Sequence, residues 1–266
     1  MTRVEARFDQ LKAEEKKAFI AYLTAGDPTL EDTVDIVLRL EDQGVDIIEL
    51  GLPFSDPLAD GRVNQESSTR ALHAGATFQG VMDTVVSLRE RSQIPIIFYA
   101  YMNPLLSRGF ETAIQAGVEA GADGFLLLDL PVEESKPYRH ILKSSGAHAI
   151  QLITPTTPDE RILKIVKQAN GFVYCVSREG VTGMQDSIAS GARELVARIK
   201  SKTELPVAMG FGIGTPEQAY EAATMADGVV VGSAIVNAFH HEAHTAEGRA
   251  RAASAVGKLV RAVKEV

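Results

Sequence analysis

The chain has 266 residues, 45% of them hydrophobic and 23% charged, with 22 Gly, 11 Pro, 1 Cys and a formal net charge of −8. That length holds a large core without covalent staples, and Cys175 alone excludes an intramolecular disulfide framework, which fits a reducing compartment. The acidic balance leaves no basic stripe for a nucleic acid. The first residues lack the apolar core of a signal peptide and no apolar run is long enough to span a bilayer, so a cytoplasmic globular chain is expected.

Val4, Phe8 and Leu11 share one face of an N-terminal helix. Eight short apolar runs follow, at residues 19–24, 46–51, 96–101, 124–129, 149–154, 172–177, 206–210 and 228–232. Most are apolar on successive positions rather than alternating, as strands covered on both faces should be; Leu126-Leu127-Leu128 and Val229-Val230-Val231 are the clearest. Helix signals lie between them. Thr29 caps a helix with Val34, Val37, Leu38 and Val45 on its apolar face, Pro158-Asp159-Glu160 opens another through Ile162, Leu163, Ile165 and Val166, and Pro216-Glu217 opens a third. Gly44, Gly121, Gly146 and Gly171 fall where helices should end. Strand then helix, eight times over with no linker, predicts one α/β domain over 1–266: a (β/α)8 TIM barrel whose extra N-terminal helix plugs its floor. An open doubly wound sheet is the alternative, and eight regular units favour closure. Two loops, 53–65 after the second strand and 178–191 after the sixth, exceed the usual length and emerge at the C-terminal mouth, where chemistry sits in this fold.

Glu49 ends the second run amid apolar neighbours. A carboxylate there must be paired or neutralised, so it reads either as a salt-bridged brace of the rim or as a desolvated proton shuttle. In the next loop Ser55-Asp56-Pro57 is turn chemistry, whereas Asp60 lies where its loop can fold back beside Glu49. Asp129, ahead of Pro131, reads as a cap or brace. Glycine clusters at 180–183, 210–214 and 232–233 follow the last three strands. With the N-terminus of a short helix over 234–239 they suit a phosphate, the alternative being plain flexible turns. Tyr22, Tyr101, Tyr174 and Phe211 fall near strand ends and together suit an aromatic pocket between acids and glycines, though each alone also suits the core. No strand end carries a Lys for a Schiff base, and no metal-ligand constellation stands out. His148 starts a strand on the opposite rim, His240, His241 and His244 read as a solvated helix face, and Cys175 reads as a small buried hydrophobe. Glu179 suggests a triose-phosphate isomerase-like base, but no Lys ends the first strand and no His the fourth.

The segment Ile48-Glu49-Leu50-Gly51-Leu52-Pro53-Phe54-Ser55-Asp56-Pro57-Leu58-Ala59-Asp60-Gly61 resembles the signature of the tryptophan synthase α subunit family. The likeness extends to Thr24-Ala25-Gly26-Asp27-Pro28, to residues 177–183 and to the glycine turns at 210–213 and 232–233. It implies a cofactor-free lyase that cleaves indole-3-glycerol phosphate to indole and glyceraldehyde 3-phosphate, in an α2β2 heterotetramer with a β subunit. It places the proton shuttle on Glu49 and the partner of the indole N–H on Asp60. Phosphate contacts fall on Gly183, Gly212, Gly232 and Ser233, the aromatic pocket on Tyr22, Tyr101, Tyr174 and Phe211, and a lid threonine on Thr182. The rim around Pro53, Asp56 and Pro57 is the implied docking surface for the β subunit. One departure is visible: Arg62, followed by Val63-Asn64, stands where the family usually has Pro. A sugar-phosphate isomerase on the same scaffold and a non-catalytic regulatory subunit are the alternatives.

Overall fold

The computed structural model describes residues 1–176, 191–210 and 212–266. Eight parallel strands run in chain order: β1 (Ala18–Thr24), β2 (Ile47–Gly51), β3 (Ile96–Ala100), β4 (Gly124–Leu127), β5 (His148–Ile153), β6 (Val173–Val176), β7 (Val207–Gly210) and β8 (Gly228–Val231). Each pairs with the next, and β8 returns to β1 through Ala18↔Gly228, so the sheet closes without an edge. The closed barrel is what the repeated units predict, and the open sheet is excluded. Among the described residues, no helix is long and apolar enough to cross a membrane.

Residues alternate between two apolar layers along each strand. Ala18, Ile20, Ile47, Ile97, Leu126, Ile150, Phe172, Ala208 and Val230 fill the barrel, while Phe19, Ala21, Leu23, Ile48 and Leu50 join the shell packed against the helices. Both layers are apolar, which is why the strands read as unbroken hydrophobic runs. The helix Arg3–Ala13 seals the floor as expected. Thr2 caps it with a capping box to Glu5, and Val4, Phe8 and Leu11 insert into the barrel layer, the Phe8 ring 5.7 Å from that of Phe172.

At the floor rim one device repeats four times. The side chain just ahead of each even-numbered strand accepts a backbone N–H at the start of the preceding odd strand: Asp46 from Phe19, Asp123 from Ile96, Asn170 from Ala149 and Asp227 from Val207. The three acids are also ion-paired, Asp123 to Arg3 and Arg89 and Asp227 to Lys200. Asp46, whose side chain is fully buried, holds Arg7 from the N-terminal helix and Lys264 from the helix Ala246–Lys264, so one carboxylate ties both outermost helices to the barrel.

The local signals place most helix ends. Thr29 caps the helix Leu30–Asp42, Thr215 caps Pro216–Ala223, and Gly44, Gly121 and Gly146 take the positive φ that favours glycine at helix ends. Gly171 is a correction: it takes positive φ in the turn ahead of β6, beyond the Lys167 cap of the helix Asp159–Val166. Val45 is also a correction: it follows the helix Leu30–Asp42, buried beyond the Gly44 turn. The run at 124–129 is another, since β4 ends at Leu127 and Asp129 caps the helix Met102–Leu106 by accepting the Met102 N–H at 2.8 Å. The loop expected over 53–65 is shorter, because Arg62 begins the helix Arg62–His73. Arg62 therefore occupies the first helical turn's opening position, where the N–H needs no intrahelical partner and Pro and other residues exchange freely. It is exposed and pairs with Glu66 one turn on. The loop expected over 178–191 lies outside the described residues apart from Gly191.

The buried Asp46 hub and the exposed Arg62 pair should respond differently to mutation. Asp46→Ala strands two cations and a backbone N–H, and we expect it to lower the unfolding free energy by about 3 kcal/mol. Arg62→Ala should leave the urea midpoint unchanged. Equal midpoints for wild type and Asp46→Ala would show that this carboxylate does not hold the floor.

Candidate active site

Glu49 points into the barrel because Ile47, two residues earlier on the same face, lies in the barrel layer. Its register neighbours are Tyr22 on β1 and Ile97 on β3. The residue is 1% exposed, and its Oε1 is buried with no hydrogen-bond partner. No ion pair reaches it among the described residues, so none of them makes it a salt-bridged brace. Burial alone pushes its carboxyl up to about 8, leaving it mostly protonated at neutral pH.

Asp60 reaches the same mouth from the loop after β2. Turns closed by Leu58 N–H to Asp56 O and by Asp60 N–H to Pro57 O fold that loop back, and Asp56 stays exposed, consistent with its turn chemistry. Tyr99 donates to Asp60 Oδ1 and Tyr101 to Oδ2, each at 2.8 Å. The Tyr101 hydroxyl also accepts the Ala59 N–H at 3.0 Å, and its ring lies 5.3 Å from that of Phe54. Burial raises the Asp60 carboxyl, while bonds from Tyr101, Tyr99 and Asn64 oppose the rise. The two acids thus sit in opposite settings, one without a partner among the described residues and one held by two phenols.

Tyr22, Tyr101 and Tyr174 converge on these acids. The charges of both Glu49 and Asp60 push up the phenols of Tyr22 and Tyr174, whose first cause of elevation is burial. Two glycines make room for them: a Cβ at Gly51 would lie 2.7 Å from the Tyr22 hydroxyl, and one at Gly210 would strike the Tyr174 phenol. Tyr22 donates to Thr24, Thr24 to Ser67 at 2.5 Å, and Ser67 to the Asn64 carbonyl, a direction set by the carbonyl at the end of the chain. This relay joins β1 to the helix that follows the Asp60 loop. Tyr99 is the residue that sequence reasoning missed. The signal was present, since Tyr99 stands two positions beyond the inward Ile97 and so shares its face.

Gly232 caps the helix Ser233–Glu242, whose first turn opens with Ser233 and leaves N–H groups free of intrahelical bonds. A Cβ at Gly232 would meet the Tyr22 ring at 3.5 Å, so this helix start adjoins the aromatic pocket. Gly212 takes φ +76°, a conformation that side chains strain to adopt. Thr182, Gly183 and Phe211, along with Glu179, lie outside the described residues. Cys175 is fully buried in β6, its thiol pushed up to about 12 by burial. His148 sits on the floor side, bonded to Thr2 at 2.7 Å.

A family model described as tryptophan synthase alpha chain matches residues 8–264. The tryptophan synthase alpha chain of Opitutus terrae is 44% identical over 265 residues, covering 99% of this chain and 100% of its own length. That of Geotalea daltonii is 47% identical over 249 residues, with 92% and 94% covered. Among solved structures, tryptophan synthase subunit alpha from Legionella pneumophila superposes with a TM-score of 0.88 at 36% identity and full coverage of both chains. With a family match over nearly its whole length and relatives of this identity, the chain belongs to the tryptophan synthase alpha chain family.

Proposed function

We infer that Glu49 and Asp60 carry the alpha reaction of tryptophan synthase in this chain, the retro-aldol cleavage of indole-3-glycerol phosphate to indole and D-glyceraldehyde 3-phosphate. The observation that carries this reading is the contrast between the two carboxyls: Glu49 is neutralised by burial, and Asp60 is held by two phenols. Cleaving the bond between indole C3 and the glycerol carbon needs an electron sink, and the substrate's own ring serves. Glu49, starting protonated, gives its proton to C3 and forms a cationic indolenine. Asp60 stabilises the positive charge at the ring nitrogen and accepts its N–H. The carboxylate left on Glu49 then takes the proton of the adjacent glycerol hydroxyl. That oxygen becomes the aldehyde carbonyl, and the electron pair of the breaking C–C bond returns to the ring. Glu49 ends protonated, ready for the next turnover.

Gly212, Gly232 and Ser233, with Gly183, form the phosphate end of this reading, where the helix start at Ser233 supplies N–H groups and a favourable dipole. Tyr22, Tyr101, Tyr174 and Phe211 enclose the indole, and Thr182 acts as the lid residue toward Asp60. The chain works as one barrel domain over 1–266, in the cytoplasm, as half of an α2β2 assembly. The β subunit docks on the rim of Pro53, Asp56 and Pro57, where Leu58 is 77% exposed. Turnover of indole-3-glycerol phosphate by the purified chain, with and without a β subunit, tests the whole reading, and no indole in either case refutes it.

Glu49→Gln should keep substrate affinity and lose turnover, by about 10²–10⁴-fold. Because the active form carries the proton, kcat/KM of the wild type should fall as pH rises through about 8, and a profile flat to higher pH would contradict a protonated starting state. The same group acts on stability. Its folded value lies above the ordinary 4.5, so its contribution is complete below pH 4.5 and is lost as pH rises toward about 8. Wild type should therefore lose stability relative to Glu49→Gln across that window, read from denaturation midpoints at each pH. At the phosphate end, Gly232 needs no positive φ and has room for a methyl group at van der Waals distance. Gly232→Ala should accordingly fold normally and weaken glycerol phosphate binding roughly tenfold by calorimetry, because the methyl intrudes on the helix start. Unchanged affinity would remove Gly232 from the site.

A further inference from the structure

We propose that Tyr99 is a positioning residue for this reaction: its phenol, carried on a rigid strand, sets the rotation of the Asp60 carboxylate before any substrate arrives. The proposal rests on the role of Asp60 given above. An aspartate carboxylate turns about its Cβ–Cγ bond in a broad, roughly two-fold well, so a donor on one oxygen leaves its plane free to swing. Here the two oxygens are held by two different phenols, Oδ1 by Tyr99 and Oδ2 by Tyr101.

The two phenols do different work. Tyr101 caps the helix Met102–Leu106, and its hydroxyl is divided between the Ala59 N–H and Oδ2. It fixes where the loop lies. Tyr99 stands inside β3, in register with Gly51 on β2 and Leu126 on β4, and is the one residue of that strand not fully buried. It faces the mouth. Its hydroxyl donates to Oδ1, and its ring is braced edge-on by Tyr22, with centroids 4.8 Å apart and planes at 65°. Asn64, which also opposes the rise of the Asp60 carboxyl, lies only four residues from it and travels with the same segment. Tyr99 is thus the strand-borne donor that acts on the carboxylate without also holding the loop backbone. With its plane fixed from two sides, the carboxylate keeps a free lone pair on each oxygen for the substrate N–H.

The groups facing Tyr99 are Asp60, Tyr22 and Tyr174. Removing the hydroxyl leaves the packing ring in place and takes away one of the bonds that oppose the rise of the buried Asp60 carboxyl, so the pH at which Asp60 takes up a proton should rise further. The test is Tyr99→Phe, alone and combined with Asp60→Asn, assayed as indole production with saturating β subunit across a pH series. We expect kcat to fall roughly tenfold to a hundredfold, KM to stay within about threefold, and the acid limb of the kcat profile to move to higher pH. In the Asp60→Asn background, Tyr99→Phe should add less than about twofold, because its effect passes through that carboxylate. Wild-type kcat with an unmoved acid limb overturns the proposal. So does an equal loss in both backgrounds, which would make Tyr99 a wall of the pocket. A wild-type chain that produces no indole overturns the functional reading itself and is told apart from either result.

Discussion

Burying the Glu49 carboxyl on the inward face of β2, with Oε1 unpartnered, makes ionisation so costly that the group stays protonated near neutral pH. A protonated acid of that kind exists only where water is shut out and no cation is at hand, and among the described residues the barrel supplies both conditions. Closure through β8 and β1 leaves no edge for solvent to enter, and Phe8 with its helix stops the floor. An unsatisfied buried carboxyl costs several kcal/mol, which other parts of the fold must offset. The ion-paired acids at the floor rim lie at the opposite end from the chemistry, where charges can be fully paired without disturbing it.

Asp60 illustrates the complementary arrangement. It shares the mouth with Glu49, yet two phenols bonded to its oxygens oppose the rise that burial causes. Two carboxyls of similar intrinsic acidity thereby differ in how firmly each holds its proton, by surroundings alone. The separation depends on where hydroxyls are placed. Tyr99 and Tyr101 meet Asp60, whereas Tyr22 directs its proton away, through Thr24 and Ser67, to the Asn64 carbonyl. That relay and the Asp27–Arg70 ion pair fasten the first and second loops to one helix, so the loop bearing Asp60 is anchored on both sides of the mouth.

Much of this architecture was legible in the sequence because it rests on local physics. Two-sided burial makes a parallel strand apolar at every position, so the eight runs could be counted and the barrel predicted. Thr29, Thr215 and the glycines at helix ends satisfy backbone groups of their own segments, and their placement needs no knowledge of distant residues. The period-two rule even carries Glu49 to the inward face once Ile47 is assigned there. Glu49, Tyr22, Tyr101 and Tyr174 likewise stand near strand ends, whereas Asp60 lies in the loop beyond β2.

What the tertiary structure alone decided are the pairings between residues far apart in the chain. Glu49 could equally have met a cation, and only the closed barrel shows its Oε1 without a partner. Tyr99 was invisible as a partner of Asp60 because that contact depends on a loop 39 residues earlier folding back onto it. The Asp46 hub joins residues 39 and 218 positions away, and no local pattern encodes such a meeting. Arg62 reads as an anomaly until the backbone shows it opening a helix, where its side chain points to solvent. Sequence determines what each segment buries and how it ends; which polar groups are left together, and therefore which carboxyl keeps its proton, is decided when closure of the sheet brings distant strands into register.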